Sequence, residues 1–368
     1  MRALLAVLAL IAATGLAACG SGSGPPARPS APAREVFGAS VNRLFNDRVY
    51  SGAQITTQLQ ALSQTGASVA RSDTLWEATE TAPPVNGRHR YDWRFDDQVA
   101  GSLASSHLRW FPVLDYSAAW AQIVPGILHS APNPAAFAAF ASAFAARYGR
   151  GGQFWRLHPD LPTIPVDTYE VWNEPDNPRF WAPRPDAAAY ASLYSQTRNA
   201  IRSADPDARV IVGGLTRPEQ FLPALIADAP TLKGSIDGVA IHPYGSTPGK
   251  VLDQVRGARS ILRTLGLGGA PLYVTEVGWT TSPRSSRYWA PPDRRPLYLR
   301  QTLTALGHSN CDLAAVFVYT WITPEQHPLD QEDWFGIHPL DGSESADSAA
   351  FTSGLRLASA AAGQLPIC

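Results

Sequence analysis

Apolar and polar positions alternate along this chain on two length scales. Short runs rich in β-branched and aromatic residues fall at 36–42, 67–73, 108–115, 168–174, 209–214, 236–244, 272–278 and 315–321. Longer stretches with helical spacing separate them, among them 134–148, 186–204, 248–265 and 296–307, and several open on Pro or Asp as first helical turns prefer. Short strands alternating with helices build a parallel sheet. Eight such units predict a (β/α)8 TIM barrel occupying residues 35–368. The competing arrangement, an open doubly wound sheet, expects a Gly-x-Gly-x-x-Gly turn after the first strand. Here Gly38-Ala39-Ser40 leads instead to Asn42 and Arg43.

A barrel gathers functional side chains at the C-terminal ends of its strands and in the loops that follow. Those ends read Arg71-Ser72-Asp73, Asp115-Tyr116, Asn173-Glu174-Pro175-Asp176, His242-Pro243-Tyr244, Glu276-Val277-Gly278-Trp279 and Thr320-Trp321. Polar groups so close to a core are costly unless they have partners or a task.

The composition narrows the classes. With 368 residues, 45% hydrophobic and 17% charged, the chain can bury a full core and is neither disordered nor fibrous. Thirty basic against 31 acidic residues leave no positive surplus for a phosphate backbone, so nucleic acid is not an expected partner. Nothing in the sequence points to an oligomer. Arg2 followed by the apolar run 4–18 is too short to span a bilayer and reads as a signal peptide, 1–18. Leu16-Ala17-Ala18-Cys19-Gly20 resembles a bacterial lipobox, which implies lipidation of Cys19; the alternative is an ordinary secretory signal with an incidental Cys. Residues 19–34 are then a Gly/Ser/Pro/Ala tether. The expectation is an exported cell-surface lipoprotein that meets the membrane only through its anchor. Cys311 and Cys368 remain as an even pair in a disulfide-permissive compartment, either bonded or as two thiols, at one end of the barrel.

Glu174 closes the fourth run and Glu276 the seventh, so a barrel sets them across one mouth. Paired carboxylates so placed suit glycoside hydrolysis, in which one protonates the leaving oxygen and the other attacks or supports the oxocarbenium-like centre. A gap of about 5 to 5.5 Å means retention and one beyond about 6.5 Å inversion.

Val171-Trp172-Asn173-Glu174-Pro175-Asp176 and Tyr273-Val274-Thr275-Glu276-Val277-Gly278-Trp279 resemble the signatures of clan A retaining glycoside hydrolases. Tyr91-Asp92-Trp93 and His242-Pro243-Tyr244 make the likeness greatest to family 39-like and family 5-like members, over all eight barrel slots. The resemblance implies that Glu174 is the general acid/base and Glu276 the nucleophile. It implies that Arg71 stabilises the charge of Glu276, that Asn173 takes the sugar 2-hydroxyl, and that Tyr244 hydrogen-bonds the nucleophile. His242 would line the same subsite and Trp321 would form the floor beneath the cleaved sugar. The substrate implied is an extracellular oligo- or polysaccharide joined by O-glycosidic bonds of β type, with no cofactor. The alternative is a catalytically inactive carbohydrate-binding lipoprotein with the same barrel.

Two further readings find less support. A phosphate-binding barrel would want a Gly-rich cradle after the last two strands, which the sequence does not offer. A metal mechanism is not expected, because His242, His327 and His338 have no recognised ligand spacing.

Eleven tryptophans are an excess, and nine follow strand ends: Trp76, Trp93, Trp120, Trp172, Trp181, Trp279, Trp289, Trp321 and Trp334. Flat rings at that face are expected to stack on sugar C–H faces, with Trp279, Trp120, Trp181, Trp334, Trp76 and Trp289 as subsites beside Trp321. The competing reading is that several pack loops onto the rim.

Overall fold

Eight parallel strands pair in chain order and the last closes on the first. They are β1 (Val36–Ser40), β2 (Val69–Leu75), β3 (Arg109–Asp115), β4 (Thr168–Val171), β5 (Arg209–Leu215), β6 (Val239–Ile241), β7 (Leu272–Val277) and β8 (Leu313–Val318). The computed structural model describes residues 36–283, 287–325, 327–360 and 365–368. The expected signal peptide, Cys19 and the tether lie outside the described residues.

The architecture is a (β/α)8 barrel, with Val36 opposite Ala315 at the closing seam. Every expected run contains a strand, and the runs overshoot at β4, β6 and β8, where the chain leaves the sheet before the site residues. Glu174, His242 and Trp321 therefore sit on loops at the strand ends. All three exits still take sheet-like bonds, among them Trp172 N–H to Leu114 O, His242 N–H to Leu215 O and Trp321 N–H to Ser40 O.

Period-two alternation decides what fills the barrel. Val69, Phe111, Ile211, Ala240, Tyr273, Ala315 and Phe317 form a plug, joined by Ala314 where the register of β8 shifts against β7, with the Phe111 and Phe317 rings 4.8 Å apart. Two residues further along β2, Arg71 points into the same interior, where Glu170 meets it and Thr275 in turn meets Glu170. The interior is thus apolar below and polar above, and the plug is the floor of the site.

The outer core lies between strands and helices. Helix Pro134–Tyr148 is capped by Asn133, whose side chain accepts from the N–H groups of Ala135 and Ala136, and has Pro at its start. Its stripe of Phe137, Phe140, Phe144 and Tyr148 repeats at three- and four-residue spacing and packs against Trp76, Trp93, Trp110 and Trp172. Tyr91 and Trp93, part of the motif resemblance, belong to this packing and not to the barrel mouth.

At the opposite end of the barrel Cys311 and Cys368 are bonded, with their Cα atoms 5.1 Å apart. The segment they pin is also held by Asn310, whose side chain accepts from Cys368 N–H, and by Arg263, which donates to the Cys368 carbonyl. The bridge spans 57 residues, a closure that in the chain-entropy account stabilises the fold by about 4 kcal/mol. The double variant Cys311→Ser/Cys368→Ser is expected to melt roughly 5–8 °C lower in a thermal scan, with the near-UV circular dichroism of the native state retained at 25 °C.

Candidate active site

The mouth of the barrel opens into a cavity of about 1000 Å3 lined by residues from all eight strand ends, including Asn42, Asp73, Tyr116, Asn173, Glu174, Thr216, Tyr244, Glu276 and Tyr319. Beneath it Arg71 is 1% exposed and holds three partners at once. Its Nε donates to Glu170 Oε2 at 2.9 Å, Nη1 to Glu276 Oε1 at 2.7 Å and Nη2 to Asn173 Oδ1 at 3.2 Å. A guanidinium presents its donors in a rigid fork, so these three bonds fix β4 and β7 relative to β2. Burial works against the charge of Arg71, and the two carboxylates outweigh it.

Glu170 was not singled out from the sequence. It is fully buried on β4 and satisfied by three donors: Arg71, Gly214 N–H at 2.7 Å and the Thr275 hydroxyl at 3.1 Å. The signal was present as an acid inside a parallel strand, a place that is ordinarily apolar. Gly214 is required to be glycine because a Cβ there would lie 2.0 Å from His242 Nε2.

The turn that carries Asn173 and Glu174 is strained. Trp172 and Glu174 have φ values of 68° and 46°, in the left-handed region that side chains disfavour. The turn is held by the fully buried Trp172 indole, whose N–H reaches Phe180 O at 2.7 Å. As a result Glu174 faces across the mouth toward Glu276. One oxygen of each, with one ring nitrogen of His242, lie within 4.8 Å of one another.

The two glutamates are held differently. Glu276 accepts from Arg71 and from Tyr244 Oη at 2.7 Å. Burial first, then the charge of Glu276, raise Tyr244 well above the usual phenol range, so it donates. Glu174 meets His242 Nδ1 at 2.9 Å through Oε1 and accepts from Asn177 Nδ2 at 2.5 Å through Oε2. His242 Nδ1 is also 3.6 Å from Glu276 Oε2, and Nε2 meets the Thr275 hydroxyl at 3.1 Å. Because that hydroxyl gives its proton to Glu170, both ring nitrogens of His242 face acceptors. Burial pushes His242 down, but the charge of Glu276 and the bond and charge of Glu174 more than reverse it, so its pKa is raised. Glu174, His242 and Glu276 also offer the donor types of a divalent cation site.

Two further acids border this network. Asp73 lines the cavity and accepts from Asn46 Nδ2 at 2.9 Å; burial and, against the pull of Arg71, the charge of Glu276 push it up to about 6. Asp115 is fully buried, and neither carboxyl oxygen has a hydrogen-bond partner among the described residues. Burial and then the charges of Asp73 and Glu77 hold it well above the carboxylate range, so it is the neutral acid.

The tryptophan expectation is corrected. Among the described residues no tryptophan lines the cavity; its rings are Tyr116, Phe180, Tyr244, Tyr288, Tyr319 and Phe335. Trp321, Trp279 and Trp181, like Trp76 and Trp172, are at most 1% exposed. Trp321 donates to Gln58 O and stacks on His338, and Trp279 donates to Gly245 O. Trp181 packs edge-on against Trp172. The half-buried Trp334 and Trp120 donate to His327 O and Glu80 O, and Trp120 borders a separate surface depression. Trp289 is half-buried beside Thr280, away from the cavity lining. An indole combines a large apolar body with one N–H, which suits it to seal a loop onto a rim by capping a loop carbonyl.

Loops after β8 complete the wall. Arg43 Nη2 donates to Asp333 at 2.7 Å, and Arg295 donates to Trp334 O, Gly336 O and Asp347. Beside these clamps lie Glu332 and Phe335, with Tyr319 Oη donating to Glu332 at 3.1 Å.

The comparisons agree with this architecture. No family model matches the chain. A β-xylosidase of Geobacillus stearothermophilus is 25% identical over 167 residues, 39% of this chain and 30% of that protein. A family 39 glycoside hydrolase from the gut symbiont Bacteroides cellulosilyticus WH2 superposes with a TM-score of 0.65 at 19% identity, over 88% of this chain and 64% of that one. A monomeric β-xylosidase from Caulobacter crescentus CB15 superposes at 0.65 and 21% identity, over 88% and 69%. A fungal β-1,4-galactanase, with 15% identity and a TM-score of 0.59, is matched over 86% of this chain and 98% of that one. The chain therefore spans less than two thirds of the Bacteroides enzyme and less than one third of the Geobacillus one. The shared feature is the (β/α)8 fold of clan A glycoside hydrolases, to which this chain is similar.

The charge on His242 is directly testable. The folded state binds its proton more tightly than the unfolded chain, so its stabilisation is complete below about 6.5 and is lost as pH rises through the raised value. In an NMR titration the His242 ring is expected to titrate above 6.5, and in Glu276→Gln to titrate lower than in wild type. A His242 ring that is already neutral at pH 6 would contradict the network.

Proposed function

We propose that the chain is a retaining glycoside hydrolase that cleaves O-glycosidic bonds of β type in oligo- or polysaccharides by double displacement. The observation that carries this is the pair of glutamates at the ends of β4 and β7, with oxygens within 4.8 Å and separate partner sets. Oxygens this near support the retaining reading, in which the two carboxyl groups stand about 5 to 5.5 Å apart. The names of the similar proteins, β-xylosidases and galactanases among them, support the same reaction class.

In the first step a Glu276 carboxylate oxygen attacks the anomeric carbon while the bond to the leaving oxygen breaks. The leaving oxygen takes a proton from Glu174, which shares it with His242 Nδ1 at 2.9 Å. Arg71 and Tyr244 hold Glu276 in place and disperse its charge until the ester forms. Asn173, whose oxygen is fixed by Arg71 and whose Nδ2 lies 3.3 Å from Tyr116 Oη, is placed to meet the 2-hydroxyl beside the reacting carbon. In the second step Glu174, now a base, takes a proton from water as the water oxygen attacks the anomeric carbon. Glu276 leaves as the carboxylate, and two inversions amount to retention.

The location belongs to the proposal too. The signal-like run 1–18, Cys19 and the tether 19–34 support export to the cell surface on a lipid anchor, and the Cys311–Cys368 bridge is consistent with an oxidising compartment.

The deciding experiment uses activated aryl glycosides with azide. Glu174→Ala is expected to lose about 100- to 10,000-fold on substrates with poor leaving groups, and Glu276→Gly at least as much. Azide should rescue Glu276→Gly as the inverted glycosyl azide and Glu174→Ala as the retained one. Wild-type turnover in either variant would overturn the assignment.

A second expectation separates packing from binding. Trp279→Phe and Trp181→Phe are expected to lower stability by about 1–3 kcal/mol in chemical denaturation and to leave KM for the best aryl glycoside within twofold.

A further inference from the structure

The charged residues lining the cavity are sorted by depth. The acids Asp73, Glu174, Glu276 and Glu332 are buried or half-buried, whereas the cations Arg179, Arg217, Lys250 and Arg287 are all exposed at the mouth. The acids are also occupied: Glu276 by Arg71 and Tyr244, Glu174 by His242 and Asn177, Asp73 by Asn46, and Glu332 by Tyr319. Lys250 lies 3.9 Å from Asp253, which Arg256 contacts as well.

The three arginines are held by groups that leave their charge uncompensated. Arg217 donates to Asp176 O at 2.9 Å, Arg179 lies over the Phe180 ring at 5.5 Å, and Arg287 lies over the Tyr288 ring at 4.5 Å. Among the described residues none of the three forms an ion pair; Arg179 is near enough to Glu332 to favour its charge without touching it. A ligand approaching the mouth meets positive potential before it meets the glutamates. Exposed cations at a cleft raise the local concentration of anions, and guanidinium forks hold carboxylate or sulfate oxygens in pairs. A neutral glycan makes no use of that charge.

Two of these cations belong to the Glu174 side of the cleft. Asn177 donates to Glu174 and accepts from Arg179 N–H at 3.0 Å, so Arg179 and Glu174 share one turn. The Asp176 carboxylate accepts the Arg217 N–H at 2.5 Å, tying the loop after β5 to the same turn. In the glycosidase reading, on which this inference rests, Glu174 faces the leaving oxygen, so the units beyond the cleaved bond lie beside Arg179 and Arg217.

We infer that the substrate is an anionic glycan whose sugar on the leaving-group side carries a carboxylate or sulfate held by Arg179 and Arg217. The glycone site beneath, with its acids already paired, takes a sugar through its hydroxyls.

The test compares oligosaccharides that differ only in charge. Fragments of glucuronoxylan, pectin and hyaluronan are assayed in native and carboxyl-reduced form, and those of a sulfated galactan in native and desulfated form. The wild-type chain is expected to show a kcat/KM at least about tenfold higher on the anionic member of one pair, shrinking toward parity as NaCl is raised from about 20 to about 500 mM. Which pair responds separates uronate from sulfate. Arg179→Gln and Arg217→Gln should each narrow the preference between the paired substrates, mainly through KM.

Equal cleavage of all pairs, with no salt dependence, would overturn the inference and leave the glycosidase reading standing. If no glycoside is cleaved, aryl glycosides included, the glycosidase reading fails instead. Calorimetric binding of the same pairs then decides the charge preference: tighter binding of the anionic member upholds it, and equal affinity overturns it.

Discussion

The site is organised around one buried cation. Arg71 reaches Glu170, Glu276 and Asn173 from the polar layer just above the apolar plug, and its partners come from β4, from β7 and from the turn that follows β4. A buried guanidinium is tolerable only when carboxylates surround it, and a buried carboxylate only when donors fill its lone pairs. Glu170 meets the second condition with three donors and is thereby the structural counter-ion. That leaves Glu276 with one oxygen for Arg71 and one for Tyr244, at the surface of the cavity rather than beneath it. His242 supplies a second positive centre, linked through Thr275 to the same Glu170. Structure and chemistry are therefore one network, and a change at Glu170 would reach both glutamates without touching a ligand.

The tryptophans show how a correct observation led to the wrong surface. They do cluster after strand ends, as counted along the chain, and the end of the barrel they mark is the right one. Their rings point into the rim, where N–H groups cap the carbonyls of Phe180, Gly245, Gln58 and Glu80. What they seal in place are the loops that carry the smaller cavity rings. Tyr319 is two residues before Trp321 and Phe335 is one after Trp334, and it is these neighbours that face the open space. Burying an indole while capping a carbonyl fixes a loop more firmly than either contact alone.

Depth governs the charges as it governs the rings. Acids lie low in the cavity, tied to buried donors, and guanidiniums stand at its edge over aromatic faces or backbone carbonyls. A near-zero net charge for the whole chain conceals this separation. Composition averages over the molecule, whereas recognition depends on which sign a ligand meets first.

Taken alone, the amino-acid order determined the barrel, because eight buried strands alternating with amphipathic helices have few other ways to bury their apolar faces. It also determined that Glu174, Glu276, Arg71, Asn173, His242 and Tyr244 would converge, because strand-end position along the chain is position around the mouth. Glu170 escaped notice because its meaning lies in partners on β2, β5 and β7. Only the tertiary structure decided the rotation of each side chain beyond a strand end. There the period of two lapses, and the φ values of Trp172 and Glu174 turn the chain out of register. That loss of register is why the sequence located the glutamates by their strands but could not say that the neighbouring indoles face the protein and the tyrosines the cavity.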